Sequence, residues 1–372
     1  MAPGEFVKLE DVALHAGVSL STASRVLNGP PSHRGRAELR ERVLASAQAL
    51  GYVPNPHARA LASSTSNTVG LVVQDVRDPY FAVVAGGAIE VANEHGLMVT
   101  IVCTYRDPAQ EARYLSLLRA QRVRAIILAG SAYEDVAPTK AMAVDLEAYC
   151  AAGGAVVSIT RHRLPGDTVL VENREGAAEL ARRLLKLGHR DFAVVAGPRK
   201  LTTARDRVAG FASALADAGI KLGANRIVNA DFDRDGGYAA GQRLLKGRSL
   251  PTCVLAANDA MALGLLAAFR AHGVAVPQQV SVTGFGDIPA ARDSVPALSS
   301  VHLPLDALGA EAMRLALRAD RGTGDRTVTI GGRVVLRDST APPPAPGGRE
   351  APPGGRTAAA ADRVRKPARS ET

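Results

Sequence analysis

The stretch that decides the fold runs from Leu9 to Asn28 and reads LEDVALHAGVSLSTASRVLN. Apolar residues recur at helical spacing on both sides of Gly17, which predicts two short helices joined at that glycine. Glycine can take the positive φ that ends a helix and turns the chain sharply. Ser19 is placed to cap the second helix. The positions predicted to face one another are Val12, Ala13, Ala16, Val18, Ala23 and Val26.

This pattern predicts a helix-turn-helix, with a plain helical hairpin as the alternative. The outer face of the second helix carries Leu20, Ser21, Thr22, Ser24 and Arg25. Small and hydroxylic side chains suit a helix that enters the major groove of DNA, where an arginine can donate two hydrogen bonds to one guanine edge. In the hairpin alternative, the same residues form only a solvated polar face.

Composition bounds the class of protein. A chain of 372 residues is too long for one ordinary core, so two or three domains are expected, and 47% hydrophobic residues predict that most of it is globular. The net charge of +9 suits a polyanionic partner. Residues 1–66, however, hold seven Lys or Arg against five acidic residues. The DNA prediction therefore rests on the motif and not on bulk charge.

The sequence lacks the motifs that are typical of several classes of functional site. Cys103, Cys150 and Cys253 show no CxxC spacing and the histidines are dispersed, so neither a disulfide framework nor a metal site is predicted. We find no GxGxxG after a strand, no GxxxxGK(S/T), no HExxH and no GxSxG, so neither enzyme activity nor a cofactor is expected. The chain opens without an apolar signal segment and no stretch approaches the ~18 apolar residues of a membrane span, which predicts a soluble cytoplasmic protein without a membrane partner.

A third helix and a linker follow the recognition helix. The helix is predicted over about 37–50, where four apolar residues have the spacing that closes a three-helix core: Leu39, Val43, Ala47 and Leu50. Asn55 and Pro56 then form an N-cap and N1 pair for one short helix. A helix this short is marginal in water, so it is expected to fold only when something orders it. A simple flexible linker is the alternative.

From Thr68 onward, short β-rich runs alternate with amphipathic helices, which predicts βαβ units and parallel sheets. One set of predicted strands reads TVGLVVQ, MVTIVCT, AIILAG and AVVSIT. A second set reads TVLVEN, DFAVVAG, RIVNAD, TCVLAAN and QVSVTGFG, with the seam near residue 160. A ligand is expected in the cleft between two such lobes, outside the carboxyl ends of the strands. Helix 305–319 returns to the first lobe, TVTIGGRVVLRDS is the last strand, and the Pro- and Gly-rich tail from Ala341 is expected to be disordered.

These features together resemble the LacI/GalR (lactose-repressor and purine-repressor) family of bacterial transcription factors over about residues 7–340. The most specific pieces are VKLEDVALHAGVSLSTASRVLNG and YVPNPHARALASS. Supporting pieces are DPYFAVVAGGAIEVANEHG, GHRDFAVVAGP, TARDRVAGF, AANDAMALG and VSVTGFGDIPAA.

The resemblance implies an α/β protein with an N-terminal three-helix helix-turn-helix domain, a hinge helix, and a two-lobed periplasmic-binding-protein-like body of two doubly wound parallel sheets. The implied domains are 1–54 for DNA binding, 55–67 for the hinge helix and linker, 68–340 for effector binding and dimerisation, and 341–372 for the tail. Within the body, lobe one covers about 68–160 and 296–322, and lobe two covers about 161–295 and 323–340.

The resemblance also implies which residues contact DNA. Leu20 and Ser21 match positions that choose the operator, and Arg25 matches a base-contacting arginine. Positions that touch the DNA backbone are matched by Thr22, Ser24 and Asn28. Asn55 and Ala58 belong to the hinge helix, and Leu61 matches a leucine that pairs of family subunits wedge into the minor groove. As an alternative, Leu61 is an incidental apolar residue of a linker.

The implied effector-binding positions are Tyr80, Phe81, Arg161, Thr203, Arg207, Phe232, Asn258 and Asp287. An arginine with an asparagine could hold sugar hydroxyls or a carboxylate, and aromatic rings could cover a ring face. Each residue has a structural role as its alternative, and Arg207 in particular could pair with Asp206 or Asp231. Gly286 stands where many relatives have an effector-binding Asp, and Leu201 stands where purine repressors have an Arg, which disfavours purine effectors.

The predicted function is a ligand-responsive transcriptional regulator, a repressor, that binds double-stranded operator DNA as a homodimer. The operator is a palindrome, and a small-molecule effector, a sugar or related metabolite, sets the affinity. Two alternatives are a solute-binding protein of the same shape, which a secretion signal would favour, and an enzyme, which a catalytic motif would favour.

Overall fold

The computed structural model of the chain describes residues 7–28, 37–53, 66–133, 138–247, 249–320 and 324–344. The chain divides into two compact units. Unit 1 comprises Met1–Glu172, Lys200–Thr203 and Pro304–Gly331, and unit 2 comprises Asn173–Arg199, Ala204–Leu303 and Gly332–Thr372. No helix within the described ranges is both long enough and apolar enough to cross a bilayer.

Three helices form the N-terminal domain: α1 (Leu9–Ala16), α2 (Leu20–Asn28) and α3 (Ala37–Leu50). Gly17 ends α1 in the left-handed conformation, with φ 61°, and the Val18 N–H donates to the Ala13 carbonyl at 3.0 Å. Small and β-branched side chains let the helices approach closely around a dry core, which consists of Val12, Ala13, Ala16, Ala23, Val26, Val43 and Ala47. The predicted helix-turn-helix and third helix are confirmed.

Unit 1 contains a six-stranded parallel sheet in the order β2–β1–β3–β4–β5–β11. These strands are β1 (Thr68–Val73), β2 (Met98–Cys103), β3 (Ala125–Ala129), β4 (Ala155–Ile159), β5 (Asp167–Val171) and β11 (Thr327–Ile330). Leu71 in β1 is in register with Ile101 on one side and Ile127 on the other. Every residue of β3 and β4 is buried, which explains why these strands read as continuous apolar runs.

Four helices of unit 1 flank this sheet: α4 (Pro79–Glu94), α5 (Pro108–Ala120), α6 (Pro138–Ala151) and α12 (Leu305–Leu317). Asp78 and Asp107 cap α4 and α5, each directly before a proline at the first helical position. Their carboxylates accept hydrogen bonds from the N–H groups two residues on, at 3.0 and 2.9 Å.

Unit 2 contains a four-stranded parallel sheet in the order β7–β6–β8–β9, formed by β6 (Phe192–Ala196), β7 (Ile227–Asn229), β8 (Cys253–Ala256) and β9 (Ser281–Thr283). An antiparallel pair, β10 (Ser300–His302) with β12 (Arg333–Val335), accompanies it. The helices that complete the described fold are α7 (Asn173–Lys186), α8 (Thr202–Asp217), α9 (Arg234–Leu245), α10 (Asp259–Ala271) and the short α11 (Pro289–Asp293).

Three element assignments from the sequence are wrong. TVLVEN was expected in the second sheet, but its strand β5 pairs with β4, so residues 161–172 belong to unit 1. Residues 296–303 were expected in the first lobe, but they carry β10 of unit 2. TVTIGGRVVLRDS is two strands, because the chain turns at Gly331–Gly332 between β11 in unit 1 and β12 in unit 2. Strand periodicity does not reveal which sheet a strand joins, so these choices had no local signal.

The start of the C-terminal tail also differs from the expectation of disorder. Ala341 accepts a hydrogen bond from the His189 ring at 2.9 Å, so this residue is held within unit 2. The predicted hinge helix that starts at Asn55 and Pro56, and the remainder of the tail from residue 345, lie outside the described residues.

Candidate nucleic-acid interface and effector site

The N-terminal end of α2 carries a cluster of three hydroxyl groups. Ser19 Oγ accepts a hydrogen bond from the Thr22 N–H at 3.2 Å, which is the predicted N-cap. The same oxygen lies 3.0 Å from Ser21 Oγ and 2.8 Å from Thr22 Oγ1. This network orients the first turn of the recognition helix through its own side chains and leaves Ser21 exposed.

The two faces of α2 differ sharply in exposure. Ala23 and Val26 are buried in the three-helix core, whereas Leu20 is 46% exposed and Ser21 and Arg25 are exposed. Thr22 and Ser24 are half-buried between the two faces. The structure therefore places Leu20, Ser21 and Arg25 on the accessible side of the helix. The remaining predicted DNA contacts, the side chain of Asn28 and residues Asn55, Ala58 and Leu61, lie outside what the structure describes.

Four predicted effector residues belong to unit 1: Tyr80, Phe81, Arg161 and Thr203. The rings of Tyr80 and Phe81 meet edge to face with their centroids 5.1 Å apart, and Phe81 is buried. Arg161 is exposed just after β4. Thr203 is buried, and its hydroxyl has no hydrogen-bond partner among the described residues. A ligand hydroxyl or carboxylate could satisfy such a group.

Sequence reasoning missed a polar cluster at the carboxyl ends of β1, β3 and β4. The Gln74 amide donates to the Ser131 carbonyl at 2.6 Å, and the His162 ring lies 2.9 Å from the Gly130 carbonyl oxygen. Burial lowers the pKa of His162, so the ring is held neutral. Thr160 has φ 79° in this cluster. Each residue lies within three positions after the end of a strand, which is the signal that could have found them.

Arg207 is the most deeply engaged candidate in unit 2 and is only 4% exposed. Its Nε–H donates to Asn173 Oδ1 at 2.8 Å, and its Nη1 donates to the Ala257 carbonyl at 2.7 Å. The guanidinium lies 3.8 Å from the centroid of the Phe285 ring, which is a cation–π stack. These contacts fix the plane of the guanidinium from three sides.

Asn258 directly follows Ala257, whose carbonyl accepts from Arg207, and Asn258 in turn contacts Phe232. Asn258 caps α10 by accepting from the Met261 N–H at 2.7 Å, and its amide donates to the Phe232 carbonyl at 3.2 Å. The Phe232 ring covers Gly197, where a Cβ atom would overlap the ring. The structure therefore brings Arg207, Phe232 and Asn258 together at the carboxyl ends of β6 and β8.

Asp287 is engaged by two other residues of unit 2. Its carboxylate lies 2.7 Å from Arg337 Nη1 and 3.0 Å from His302 Nδ1, and its backbone is in the left-handed region with φ 57°. Burial alone raises the pKa of Asp287, but the hydrogen bonds from Arg337 and His302 outweigh it and hold the pKa below its usual value. A buried carboxylate that already contacts Arg337 and His302 within unit 2 has a structural role there.

Asp259, which the sequence reasoning did not single out, lies next to this pair. It is 1% exposed and accepts hydrogen bonds from the Ser300 hydroxyl at 2.6 Å and the Ile288 N–H at 2.9 Å. Burial nevertheless raises its pKa to about 6. Within the described ranges, no group of three or more His, Cys, Asp or Glu side chains could hold a metal ion.

Comparison with known proteins identifies the family of the chain. Residues 8–55 match the model of the bacterial regulatory proteins, lacI family, and residues 181–340 match a periplasmic binding protein-like domain. Over 342 residues the chain is 32% identical to the HTH-type transcriptional regulator DegA of Bacillus subtilis (strain 168), covering 89% of this chain and 97% of that protein. The chain belongs to the lacI family.

Solved structures agree with the lacI-family assignment. The lac repressor dimer bound to operator and the anti-inducer ONPF superposes with a TM-score of 0.75 at 26% identity, covering 91% of this chain and 100% of that chain. The complex of the transcriptional regulator CelR with cellobiose superposes with a TM-score of 0.65 at 29% identity, covering 90% and 99%. The expected fold, a helix-turn-helix domain followed by a periplasmic-binding-protein-like body, is confirmed.

Proposed function

We propose that this lacI-family chain is a ligand-responsive transcriptional repressor that binds a palindromic operator as a dimer. The main support for the proposal is the difference between the two faces of helix α2. Its inner face is locked into the three-helix core, and its outer face offers small hydroxylic residues and one arginine. That face fits the major groove, where direct base readout is possible.

The contacts with DNA fall into two kinds. Leu20, Ser21 and Arg25 read base edges, while Thr22, Ser24 and Asn28 contact the sugar-phosphate backbone and orient the domain. The hinge residues Asn55, Ala58 and Leu61 form a further contact, in which two copies of Leu61 wedge into the minor groove. Wedging kinks the duplex and costs roughly a few kcal/mol per base step, which the additional contacts offset.

The dimer is supported by the outer strand of the unit 1 sheet. β2 ends the described sheet order, and its residues Met98 and Ile101 are 62% and 40% exposed. An exposed apolar edge strand is a liability that native proteins cover. A second copy of the chain covers it in this proposal, and the pair of DNA-binding domains matches the two half-sites of a palindrome.

The effector is a sugar or a related hydroxyl-rich metabolite, held by residues at the carboxyl ends of the strands. Arg207 and Asn258 supply hydrogen-bonding groups, and Phe81 and Phe232 supply apolar ring faces. Thr203 supplies a buried hydroxyl that has no partner within the described part of the chain. The CelR structure contains cellobiose. Tyr80 and Arg161 complete the proposed set, and the effector-binding body extends over about residues 68–340.

Effector and operator then influence one another through a coupling free energy of about 1–3 kcal/mol, which is reciprocal by linkage. The test selects bound duplexes from a random library with the full-length chain. It then measures their dissociation constants by fluorescence anisotropy with and without a panel of mono- and disaccharides. A palindromic consensus whose affinity changes about 5- to 150-fold with one sugar supports the proposal. Recovery of no consensus overturns DNA recognition, and a consensus indifferent to every sugar overturns only the effector class.

A further inference from the structure

Unit 1 contains a cavity at the amino ends of its strands. It measures about 850 Å³ and is lined by the C-terminal halves of α5 and α6 and by the segments that lead into β1, β3 and β4. The lining residues used below are Ser66, Arg119, Arg122, Arg124, Asp145 and Tyr149. The volume falls within the range of small-molecule sites. The five residues of β3 separate this cavity by roughly 17 Å from the carboxyl ends where the effector residues of unit 1 lie.

The charge of the lining is positive. Arg119 pairs with Asp145 at 2.9 Å and so joins α5 to α6, whereas Arg122 and Arg124 are exposed and have no acidic partner among the described residues. Two helices also end here, at Ala120 and Ala151. Each helix end contributes roughly −0.5 charge, so with Asp145 the three arginines still leave an excess of roughly one positive charge.

The buried side chain of Tyr149 forms the floor of the cavity. The Tyr149 hydroxyl donates to the Val123 carbonyl, and its ring packs against Gly154, where a Cβ atom would overlap the ring. On the rim, Arg122 has φ 52°, a conformation that glycine usually occupies after a helix. An arginine there costs roughly 1–2 kcal/mol of backbone strain. A guanidinium group therefore stands at a position where the backbone conformation alone favours glycine.

We propose that this cavity binds a phosphorylated small molecule, with its phosphate between Arg122 and Arg124 and its carbon skeleton against Tyr149. Guanidinium groups match phosphate geometry with two parallel hydrogen bonds each. The site is separate from the effector residues at the opposite edge of the sheet.

The cavity also touches the point where the linker enters the body. Ser66 lines it and accepts a hydrogen bond from the Thr68 N–H at 3.2 Å, while the Arg124 N–H donates to the Thr68 carbonyl at 2.8 Å. A ligand held by Arg124 is therefore one hydrogen bond away from the strand that continues the linker. The site therefore adjoins the segment that follows the predicted hinge.

The test is isothermal titration calorimetry of the full-length chain with inorganic pyrophosphate at constant ionic strength. We expect saturable binding of one pyrophosphate per chain, weakened about tenfold or more in the double variant Arg122→Ala with Arg124→Ala. Arg113→Ala, an exposed arginine of α5 that does not line the cavity, is the matched control and should bind as the parent does. Thermal melting checks that all three proteins are folded.

Absence of saturable binding, or an equal loss in Arg113→Ala, overturns the proposal. A second arm distinguishes a small molecule from DNA as the source of the phosphate, by comparing operator duplexes with and without flanking DNA. If the double variant loses affinity only for the flanked duplex and the parent binds no pyrophosphate, the arginines contact DNA phosphates and the small-molecule site is wrong.

Discussion

Arg207 shows how one buried residue can serve both stability and ligand recognition. Its guanidinium satisfies Asn173 and the Ala257 carbonyl and stacks on Phe285, so its plane is set before any ligand arrives. Because the adjacent Asn258 and Phe232 are fixed by α10 and Gly197, the three candidate side chains form one preorganised group. Preorganisation lowers the entropic cost of binding.

Replacing Arg207 should therefore affect two measurements at once. Arg207→Ala removes a charged donor from two buried acceptors, so we expect the free energy of unfolding to fall by about 1–3 kcal/mol in chemical denaturation. We also expect loss of the effector response in anisotropy, with operator binding in the absence of effector unchanged. Arg205→Ala, an exposed neighbour on α8, is the control. An effector that still acts on folded Arg207→Ala would contradict the binding role.

Glu111 provides a residue-scale test of the electrostatics. It lies in the first turn of α5, and burial raises its pKa from 4.5 to about 7. The folded state thus binds a proton more tightly than the unfolded state, so this group destabilises the fold as pH rises through about 7. Glu111→Gln cannot ionise, so we expect it to match the parent near pH 4, below the unfolded-state pKa, and to be about 1–3 kcal/mol more stable near pH 8.

Thermal unfolding of both proteins is measured across that pH range, and the difference between their melting temperatures is plotted against pH. The difference isolates Glu111 because every other titrating group is common to both proteins. Glu90→Gln, at an exposed position of α4, should follow the parent. Parallel curves for parent and Glu111→Gln would refute the burial argument.

Arg25 tests base recognition. Arg25→Ala should cost about 1–3 kcal/mol in operator affinity and relax the preference at one base pair per half-site, because a bidentate contact to guanine is lost. Arg42→Ala, an exposed arginine of α3, is the control for charge alone. Competition anisotropy against operators mutated at single positions measures both effects. An equal loss on specific and random DNA would show that Arg25 contacts phosphate instead.

Single residues also mark the limit of sequence reasoning about the site. Arg207, Phe232 and Asn258 were identified from family positions, and the structure brings them together. Asp287 was identified as the nearest available carboxylate, but the sequence could not reveal that Arg337 and His302 approach it from segments 15 or more residues away. Asp259 escaped notice because its environment is built by Ser300 and Ile288, which are distant in sequence.

At the scale of elements, helix packing in unit 1 depends on glycines at a close crossing. A Cβ atom at Gly87 of α4 would overlap the Asp306 carbonyl oxygen, and one at Gly309 of α12 would overlap the Val84 carbonyl oxygen. At Gly86, one residue earlier on α4, a Cβ atom would meet no described atom within 4 Å. The helix crossing therefore requires glycine at position 87 of α4 but not at position 86.

Two adjacent substitutions should have opposite signs. Gly87→Ala overpacks the crossing and should lower the free energy of unfolding by about 1–3 kcal/mol. Gly86→Ala makes no clash with the described residues and lowers the conformational entropy of the unfolded chain. It should therefore raise the free energy of unfolding by about 0.5–1 kcal/mol. Urea denaturation of the two variants and the parent measures both changes. Changes of the same sign would mean that the helices are not in close contact at Gly87.

Elements with a local signal were predicted well, and elements whose partner is remote were not. Gly17 ends α1 as the sequence predicts, and the helix predicted over about 37–50 is α3. β5 was assigned to the wrong sheet because its own residues encode extended structure but not the choice of β4 as a neighbour. Gly331–Gly332 divides β11 from β12, and glycine pairs inside an apolar run are as compatible with a bulge as with a change of sheet.

The protein as a whole combines three parts in one chain: a DNA-binding domain, a body with polar residues at the carboxyl ends of its strands, and a basic cavity next to the linker. Dimerisation is the feature on which DNA recognition depends. A single helix-turn-helix domain reads only one half-site, whereas a dimer reads two half-sites a helical turn apart and gains effective concentration from the tether.

The most direct test compares two duplexes of equal length, one carrying the selected palindrome and one with a single half-site scrambled. Fluorescence anisotropy gives the dissociation constants, and sedimentation gives the number of chains per duplex. We predict two chains on the palindrome and an affinity at least about a hundredfold higher than on the scrambled duplex, since several mismatched base pairs each cost about 1–3 kcal/mol. One chain per duplex, or equal affinity for both, would contradict the account.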